Sequence, residues 1–150
     1  MGQGYLLKCN KCDYREEVFL GVGYMFPEEY AELVRDIRKG CYGRDWQAFF
    51  EEHRGAVVNA ETELYVCPQC GHLETEHNLS IYLNKQEKEP ENGYWMRWAD
   101  EDDYEFVRSY VHSCPDCGKR MEVVQDIEKA DLRCPDCGDR LEVSGQIMWD

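Results

Sequence analysis

Eight of the nine cysteines in this 150-residue chain stand in Cys-x-x-Cys pairs, and this spacing constrains the fold more than any other feature. A Cys-x-x-Cys turn brings two sulfurs toward one ion, and two such turns supply the four thiolates of a closed tetrahedral metal site. The sequence therefore predicts two four-cysteine metal sites. The four turns are Cys9/Cys12, Cys67/Cys70, Cys114/Cys117 and Cys134/Cys137.

The C-terminal third contains one short pattern twice, because residues 114–124 reappear with few changes as residues 134–144. Each copy is a cysteine turn followed by a short segment that alternates like a strand. The spacing Cys-x2-Cys-x16-Cys-x2-Cys lies within the range of zinc sites. We therefore expect one site to contain Cys114, Cys117, Cys134 and Cys137.

The two upstream turns are expected to form the other site, with the ligands Cys9, Cys12, Cys67 and Cys70. These turns are 54 residues apart, a gap far longer than a minimal two-turn site needs. Each turn could instead use some other partner. The stated pairing is preferred because it leaves the C-terminal site complete by itself.

Three of the turns share a longer pattern, Cys-Pro-x-Cys-Gly, which begins at Cys67, Cys114 and Cys134. In this pattern the chain resembles the zinc-ribbon and rubredoxin-like family, over residues 5–20 and 63–83 for one site and 104–149 for the other. The resemblance implies hairpin turns that grip one metal ion, and it implies no particular function, because such folds host many roles. The first turn departs from the pattern, with Asn10 in the Pro position and Asp13 in the Gly position.

Cysteine usage favours a metal protein of a reducing compartment over a secreted disulfide scaffold. Residues 1–8 have no apolar run long enough for a signal peptide. No stretch approaches the roughly 20 apolar residues of a membrane span. Cys41 has no obvious partner and is expected to be a buried or incidental thiol. A cytoplasmic protein without membrane contact is the expectation.

Two helices are predicted between the first and second cysteine turns. Pro27 suits a first helical position, and Gly40 supplies a C-terminal stop. A second helix is expected from about Asp45 to His53, with an aromatic face that is predicted to pack in the core and, in the alternative interpretation, to form a docking groove. The fold class is therefore α+β, with two small zinc-ribbon (rubredoxin-like) β lobes, the first carrying a two-helix insertion.

The predicted domains are residues 1–84 as the first lobe, 85–103 as a connector and 104–150 as the second lobe. The connector contains Tyr94, Trp95 and Trp98 and the acidic run 100–103. It is interpreted as a packed and solvated link, with a patch for a protein partner as the alternative. Residues 104–112 alternate in polarity and are expected to form a strand that leads into the third cysteine turn.

The formal net charge of −14 disfavours nucleic acid, because binding to phosphates depends on clustered Lys and Arg. A protein partner is expected, and the sequence does not indicate the oligomeric state. Four thiolates leave no open position for water, which argues against catalysis. We therefore expect a non-enzymatic protein with two Zn²⁺ ions per chain. The alternatives are an iron electron carrier and, more weakly, a nucleic-acid-binding ribbon.

The four histidines are not expected to be ligands. His72 and His112 lie near ligand cysteines and could replace a thiolate, but each site already has four sulfurs. His53 and His77 belong to no recognisable constellation.

Overall fold

The computed structural model describes residues 2–22, 26–90 and 101–149, without the side chains of residues 26, 101 and 145–149. These residues form two helices and three small three-stranded sheets, so the α+β class is confirmed. The helices are α1 (Phe26–Arg38) and α2 (Arg44–Glu52). The strands are β1 (Gly2–Cys9), β2 (Arg15–Leu20), β3 (Ala56–Val58), β4 (Thr62–Val66), β5 (Leu73–His77), β6 (Ile81–Asn84), β7 (Tyr104–Arg108), β8 (Glu122–Val123) and β9 (Leu141–Trp149). A short 3-10 helix, Glu101–Asp103, precedes β7.

The two predicted helices are present with nearly the predicted bounds. Glu28 and Glu29 lie in the first turn of α1 and Arg35 and Arg38 in its last, where their charges complement the helix dipole. Gly40 follows with a φ of 88°, a conformation that a residue without a Cβ adopts at little cost.

The chain divides into two compact units, and this division differs from the predicted one. Unit 1 consists of the described parts of residues 1–23, 61–77 and 111–150, and unit 2 of the described parts of residues 24–60 and 78–110. The predicted boundaries at 84/85 and 103/104 both fall inside unit 2. They are wrong because each unit joins strands from distant parts of the chain, which local composition does not reveal.

Unit 2 packs α1 and α2 with the antiparallel sheet β3-β6-β7. Its core confirms the packing interpretation of the aromatic helix face, because Trp46 and Phe50 are buried in it. The indole N–H of Trp46 donates a hydrogen bond of 2.8 Å to the carbonyl of Leu79, and the hydroxyl of Tyr30 accepts one of 3.2 Å from the N–H of Val58. The two helices predicted as an insertion therefore belong to a unit with its own sheet, two of whose strands, β6 and β7, come from residues 78–110.

Two predicted strands have different limits in the structure. Residues 72–83, which the sequence predicts as one longer strand or hairpin arm, are divided into β5 in unit 1 and β6 in unit 2. The strand predicted over 104–112 ends at Arg108 and pairs with β6, so it does not run into the third cysteine turn.

Unit 1 contains the two remaining sheets and all four cysteine turns. One sheet has the order β2-β1-β9 and the other β5-β4-β8, with every pairing antiparallel. A backbone bridge between Gly21 and Thr62, with hydrogen bonds of 2.8 and 2.9 Å, connects the two sheets. The larger core of unit 1 includes Leu7 and Val18 from the first sheet and Leu64 from the second.

Candidate metal centres

Each cysteine turn is a tight reversal held by a backbone hydrogen bond. The N–H of the first cysteine donates to the carbonyl five residues later, at 3.1 Å for Cys9, 2.8 Å for Cys67 and Cys114, and 2.7 Å for Cys134. In the last three turns the N–H of the closing glycine also donates to the carbonyl of the first cysteine, at 2.8 to 2.9 Å. The closing glycines have φ angles of 76 to 79°. Asp13 occupies the glycine position of the first turn and does not have a positive φ. The backbone conformation of this turn therefore differs from that of the other three.

The four turns meet in two groups of four thiols, and the grouping corrects the predicted pairing. Group A is Cys9, Cys12, Cys134 and Cys137, and group B is Cys67, Cys70, Cys114 and Cys117. The first turn therefore meets the fourth, and the second meets the third. Neither predicted quartet is brought together, although all eight predicted cysteines belong to a group.

The sulfur positions within each group suit one tetrahedral ion. All four Sγ atoms of a group lie within 4.8 Å of one another. The closest approaches between turns are 3.4 Å for Cys9–Cys137 and Cys67–Cys117, and 3.5 Å for Cys12–Cys134 and Cys70–Cys114. A Zn–S distance of about 2.3 Å in a tetrahedron separates the sulfurs by about 3.8 Å. Both groups therefore have the size and ligand chemistry of a four-thiolate metal site.

Strand pairing explains why these turns meet. β1 ends at Cys9 and pairs with β9, which follows the fourth turn, so that Cys9 lies opposite Leu141. β4 leads into the second turn and pairs with β8, which follows the third turn, at Tyr65↔Val123 and Val66↔Glu122. The sheets thus place the turns in register at one end of each pair of strands. We call β1, β2, β9 and group A module A, and β4, β5, β8 and group B module B.

The two modules repeat the same local contacts. The N–H of Leu141 donates to the carbonyl of Leu132 in module A, and the N–H of Met121 donates to that of His112 in module B, both at 2.8 Å. Isolated bridges join Arg133 with Arg140 and Ser113 with Arg120 at matching places. The sequence repeat of 114–124 and 134–144 therefore does not build one site. It supplies the same half of two different sites.

Sequence reasoning missed a second repeat, which supplies the other half of each site. Tyr14 and Glu16 follow Cys12 at the spacing at which His72 and Glu74 follow Cys70. This similarity indicates that the first and second turns are equivalent, so that each meets the third or the fourth turn, and strand pairing decides which one.

Backbone N–H groups polarise the metal-free thiols unevenly. The pKa of Cys67 falls to about 6, chiefly because the N–H of Cys70 donates to its sulfur, with help from the N–H of Gln69 and the Cys117 thiol. Burial raises the pKa of Cys9, but the N–H groups of Lys11 and Cys12 and the Cys137 thiol outweigh it and bring the value down to about 7.

The partner thiols shift in the opposite direction. For Cys70 the N–H of His72 is the largest influence and lowers the pKa, yet the neighbouring Cys114, burial and the other thiols raise it to about 12. Cys12 behaves alike, with the N–H of Tyr14 opposed by Cys134 and burial, and its pKa is also about 12. One thiolate in a quartet therefore disfavours ionisation of the neighbouring thiols. A divalent cation would remove this repulsion.

Among the described residues, no histidine or carboxylate joins either quartet. His72 lies beside group B, where its Nδ1 is 3.1 Å from Oδ2 of Asp116 in the opposite turn. His112 is buried and stacks on Tyr65 with ring centroids 4.0 Å apart. The Nδ1 of His53 is 2.9 Å from Oε1 of Glu87 in unit 2. The ninth cysteine, Cys41, was expected to be a buried or incidental thiol, and it is exposed and outside both groups.

The aromatic connector predicted as a packed link or a partner patch falls mostly outside the described residues. Tyr94, Trp95, Trp98 and Asp100 lie there, and only Glu101–Asp103 of the acidic run are described. Neither interpretation of this segment is tested.

The fold and the two quartets define a class: an α+β protein with two four-cysteine groups that can hold metal ions. No family model matches the sequence, and neither the curated proteins nor the solved structures yielded a match. Neither helix in the described part of the chain is long and apolar enough to cross a membrane.

Proposed function

We propose that the chain is a non-enzymatic zinc protein in which modules A and B are zinc ribbons, each closed by one Zn²⁺. The observation that supports this proposal is the assembly of eight cysteines into two quartets with all Sγ atoms within 4.8 Å. Borderline-soft Zn²⁺ prefers thiolates and a tetrahedron, and structural zinc sites use four protein ligands. The eight cysteines would hold the ions, which would supply cross-links between distant strands.

The size of the modules supports a structural role for the metal. Among the described residues, the cluster that contains Cys67 and Cys114 has only two further members, Tyr65 and Met121, while Leu64 of β4 lies in the larger cluster. So small a cluster contributes little hydrophobic stabilisation, and small domains of this kind commonly depend on a metal or disulfide. Zinc binding in such modules contributes on the order of 10 kcal/mol at neutral pH.

Metal analysis of the purified chain tests this proposal. We expect two zinc ions per chain after growth without added zinc, and a colourless protein. A red protein with stoichiometric iron would instead establish the electron carrier, since iron also fits four thiolates. The matched control is Cys41→Ser, which removes the exposed ninth thiol and leaves both quartets intact.

We further propose that the chain acts by binding another protein in a reducing compartment such as the cytoplasm. A net charge of −14 supports this choice over nucleic acid, whose binding requires basic clusters. Affinity isolation with the Trp95→Ala, Trp98→Ala double variant tests the aromatic connector as the docking segment. Loss of a partner that the parent chain retains supports it, and retention of every partner contradicts it.

A further inference from the structure

The two modules hold their quartets with unequal backbone support. In module A, β1 and β9 pair over eight positions, from Gly2↔Trp149 to Cys9↔Leu141. In module B, β4 and β8 pair over two positions, extended by one hydrogen bond of 2.8 Å from the N–H of Val124 to the carbonyl of Leu64. A bound ion leaves when the two turns of its quartet separate. Separation therefore breaks a long ladder in module A and a very short one in module B.

The apolar packing around the two quartets differs in the same direction. Cys9 and Cys134 belong to a cluster of nine buried residues that includes Leu7 and Leu141 and that module B shares through Leu64 of β4. Cys67 and Cys114 belong to a cluster of four. Segments with few buried apolar contacts open locally at a lower free energy than the rest of a protein. The turns of group B are expected to open more often.

One matched position shows this difference at a single side chain. Leu132 precedes the fourth turn and is buried in the larger cluster, whereas His112 precedes the third turn at the equivalent position. Their backbone carbonyls accept equivalent hydrogen bonds, so the two side chains can be compared directly. Imidazole buries less apolar surface than the leucine side chain and must keep its polar atoms satisfied.

Access to the sulfurs also favours exchange in group B. Cys70 and Cys117 are both exposed, whereas in group A only Cys137 is exposed and Cys12 is partly covered. An incoming ligand replaces thiolates one at a time, so it needs a sulfur that it can approach from solvent. Group B has an exposed cysteine on each of its two turns.

Three features of module B act against its opening. His112 stacks on Tyr65 of β4 with ring centroids 4.0 Å apart, and this contact joins the two halves of the module. Both of its turns end in glycine, which fixes each turn internally but does not join one turn to the other. The contact of 3.1 Å between His72 and Asp116 does join them, yet the Asp116 side chain is 67% exposed. Ion pairs in such contact with water contribute little.

We propose that group B is an exchangeable metal site, able to pass its ion to a chelating or thiolate-bearing acceptor, while group A retains its ion and holds the fold. This inference rests on the proposed function, since it requires that both quartets bind metal. The exchange is a ligand substitution in which each Cys–metal bond is replaced by a bond to the acceptor. The ion remains divalent and no electron is transferred.

Limited chelation of the zinc-loaded protein tests the proposal. EDTA is added, native mass spectrometry counts the zinc remaining, and N-ethylmaleimide followed by peptide mapping identifies the thiols set free. We expect a one-zinc intermediate in which Cys67, Cys70, Cys114 and Cys117 are alkylated and the group A cysteines are protected. The first ion should leave at least about tenfold faster than the second.

Paired variants assign the fast and the slow phase of zinc release to one group each. Cys137→Ser leaves only group B complete and should show the fast phase, and Cys117→Ser leaves only group A complete and should show the slow phase.

The outcomes separate this inference from the proposed function. Simultaneous release of both ions, or release from group A first, overturns the inference while two bound zinc ions still support the proposed function. A protein that takes up no zinc overturns both.

Discussion

Gly71, Gly118 and Gly138 close three cysteine turns in the left-handed region of backbone space, and no atom lies within 4 Å of a Cβ built at any of them. A Cβ added at any of these positions contacts no neighbouring atom. The free-energy cost of the substitution is therefore the cost of holding an L-residue at positive φ. We expect Gly118→Ala to destabilise the zinc-loaded protein by about 1 kcal/mol, the usual cost of placing an L-residue at positive φ. Chemical denaturation at fixed zinc concentration measures the change.

Asp13→Ala is the matched control, because position 13 closes the first turn without a positive φ. The denaturation midpoint of Asp13→Ala should remain close to that of the parent protein. An equal loss in both variants would show that the effect is not caused by the left-handed conformation.

The uneven pKa values of the thiols predict how many protons each metal ion displaces. Cys67 and Cys9, with pKa values of about 6 and 7, are largely thiolates at pH 8 and largely thiols at pH 5.5. Binding must remove those protons at the lower pH but not at the higher. Calorimetric titrations of the metal-free protein in buffers of different ionisation enthalpy should therefore show more protons released per zinc as pH falls, by up to one per site.

The sign of the stability change in the metal-free protein follows from the same two values. A thiol whose folded pKa lies below its unfolded value contributes stability above the unfolded pKa near 9, and this contribution is lost as pH falls through 7 and 6. Cys12 and Cys70 have raised pKa values and act oppositely, disfavouring the fold as pH rises from 9 toward 12.

In the calorimetric titration, a number of protons released per zinc that does not change between pH 8 and 5.5 would contradict the assignment of Cys9 and Cys67 as the first thiolates.

At the scale of the elements, α2 is attached to the segment before β6 by one buried hydrogen bond. Trp46 donates to the carbonyl of Leu79, a buried residue with a φ of 65°. Trp46→Phe keeps an aromatic ring but removes the donor, leaving that carbonyl without its indole partner. We expect a loss of about 1–3 kcal/mol, measured by denaturant unfolding followed by helical circular dichroism.

Gln47→Ala provides the comparison within the same helix. The Gln47 amide also donates to a backbone carbonyl, that of Arg38 at 2.9 Å, but this bond is exposed and water can replace it. Its loss should cost less than about 1 kcal/mol. If both variants lose the same stability, burial of the bond is not what makes Trp46 important.

The elements that sequence reasoning predicted correctly are those with local signals. Pro27, Gly40 and the charged ends of α1 lie within a few residues of the helix they delimit. The cysteine turns are likewise defined by five consecutive residues. Which turns meet is decided by strand pairing between residues far apart in the chain, such as Cys9 with Leu141 and Tyr65 with Val123.

The error in grouping has a physical cause in the repeat itself. Residues 114–124 and 134–144 are similar because both supply the same half of a module, yet the spacing of their cysteines also lies within the range of a single zinc site. The first turn lacks Pro and Gly, which made its kinship with the second turn hard to see. The division into units was missed because β5 and β6 are separated by only three residues yet belong to different units.

At the scale of the molecule, one module is nested inside the other along the chain. Cys9 and Cys137 are 128 positions apart, whereas Cys67 and Cys117 are 50 apart and lie between them. Contacts between such distant residues form slowly because a long loop must close first. Module B therefore closes the shorter loop, and module A completes unit 1 by bringing the two ends of the chain together.

Metal removal should affect the two units differently. The core of unit 2, which includes Val58 and Ile81, contains none of the eight grouped cysteines. In unit 1, by contrast, Cys9 and Cys134 lie in one core cluster and Cys67 and Cys114 in the other. Excess chelator should therefore bring amide exchange in β1 and β4 to within about tenfold of unprotected rates, while the amides of β3 and β6 stay protected. Hydrogen exchange read by mass spectrometry resolves these segments, and added zinc should restore protection in unit 1. Parallel loss of protection in β3 and β6 would show that unit 2 does not hold its fold without the metal-bound modules.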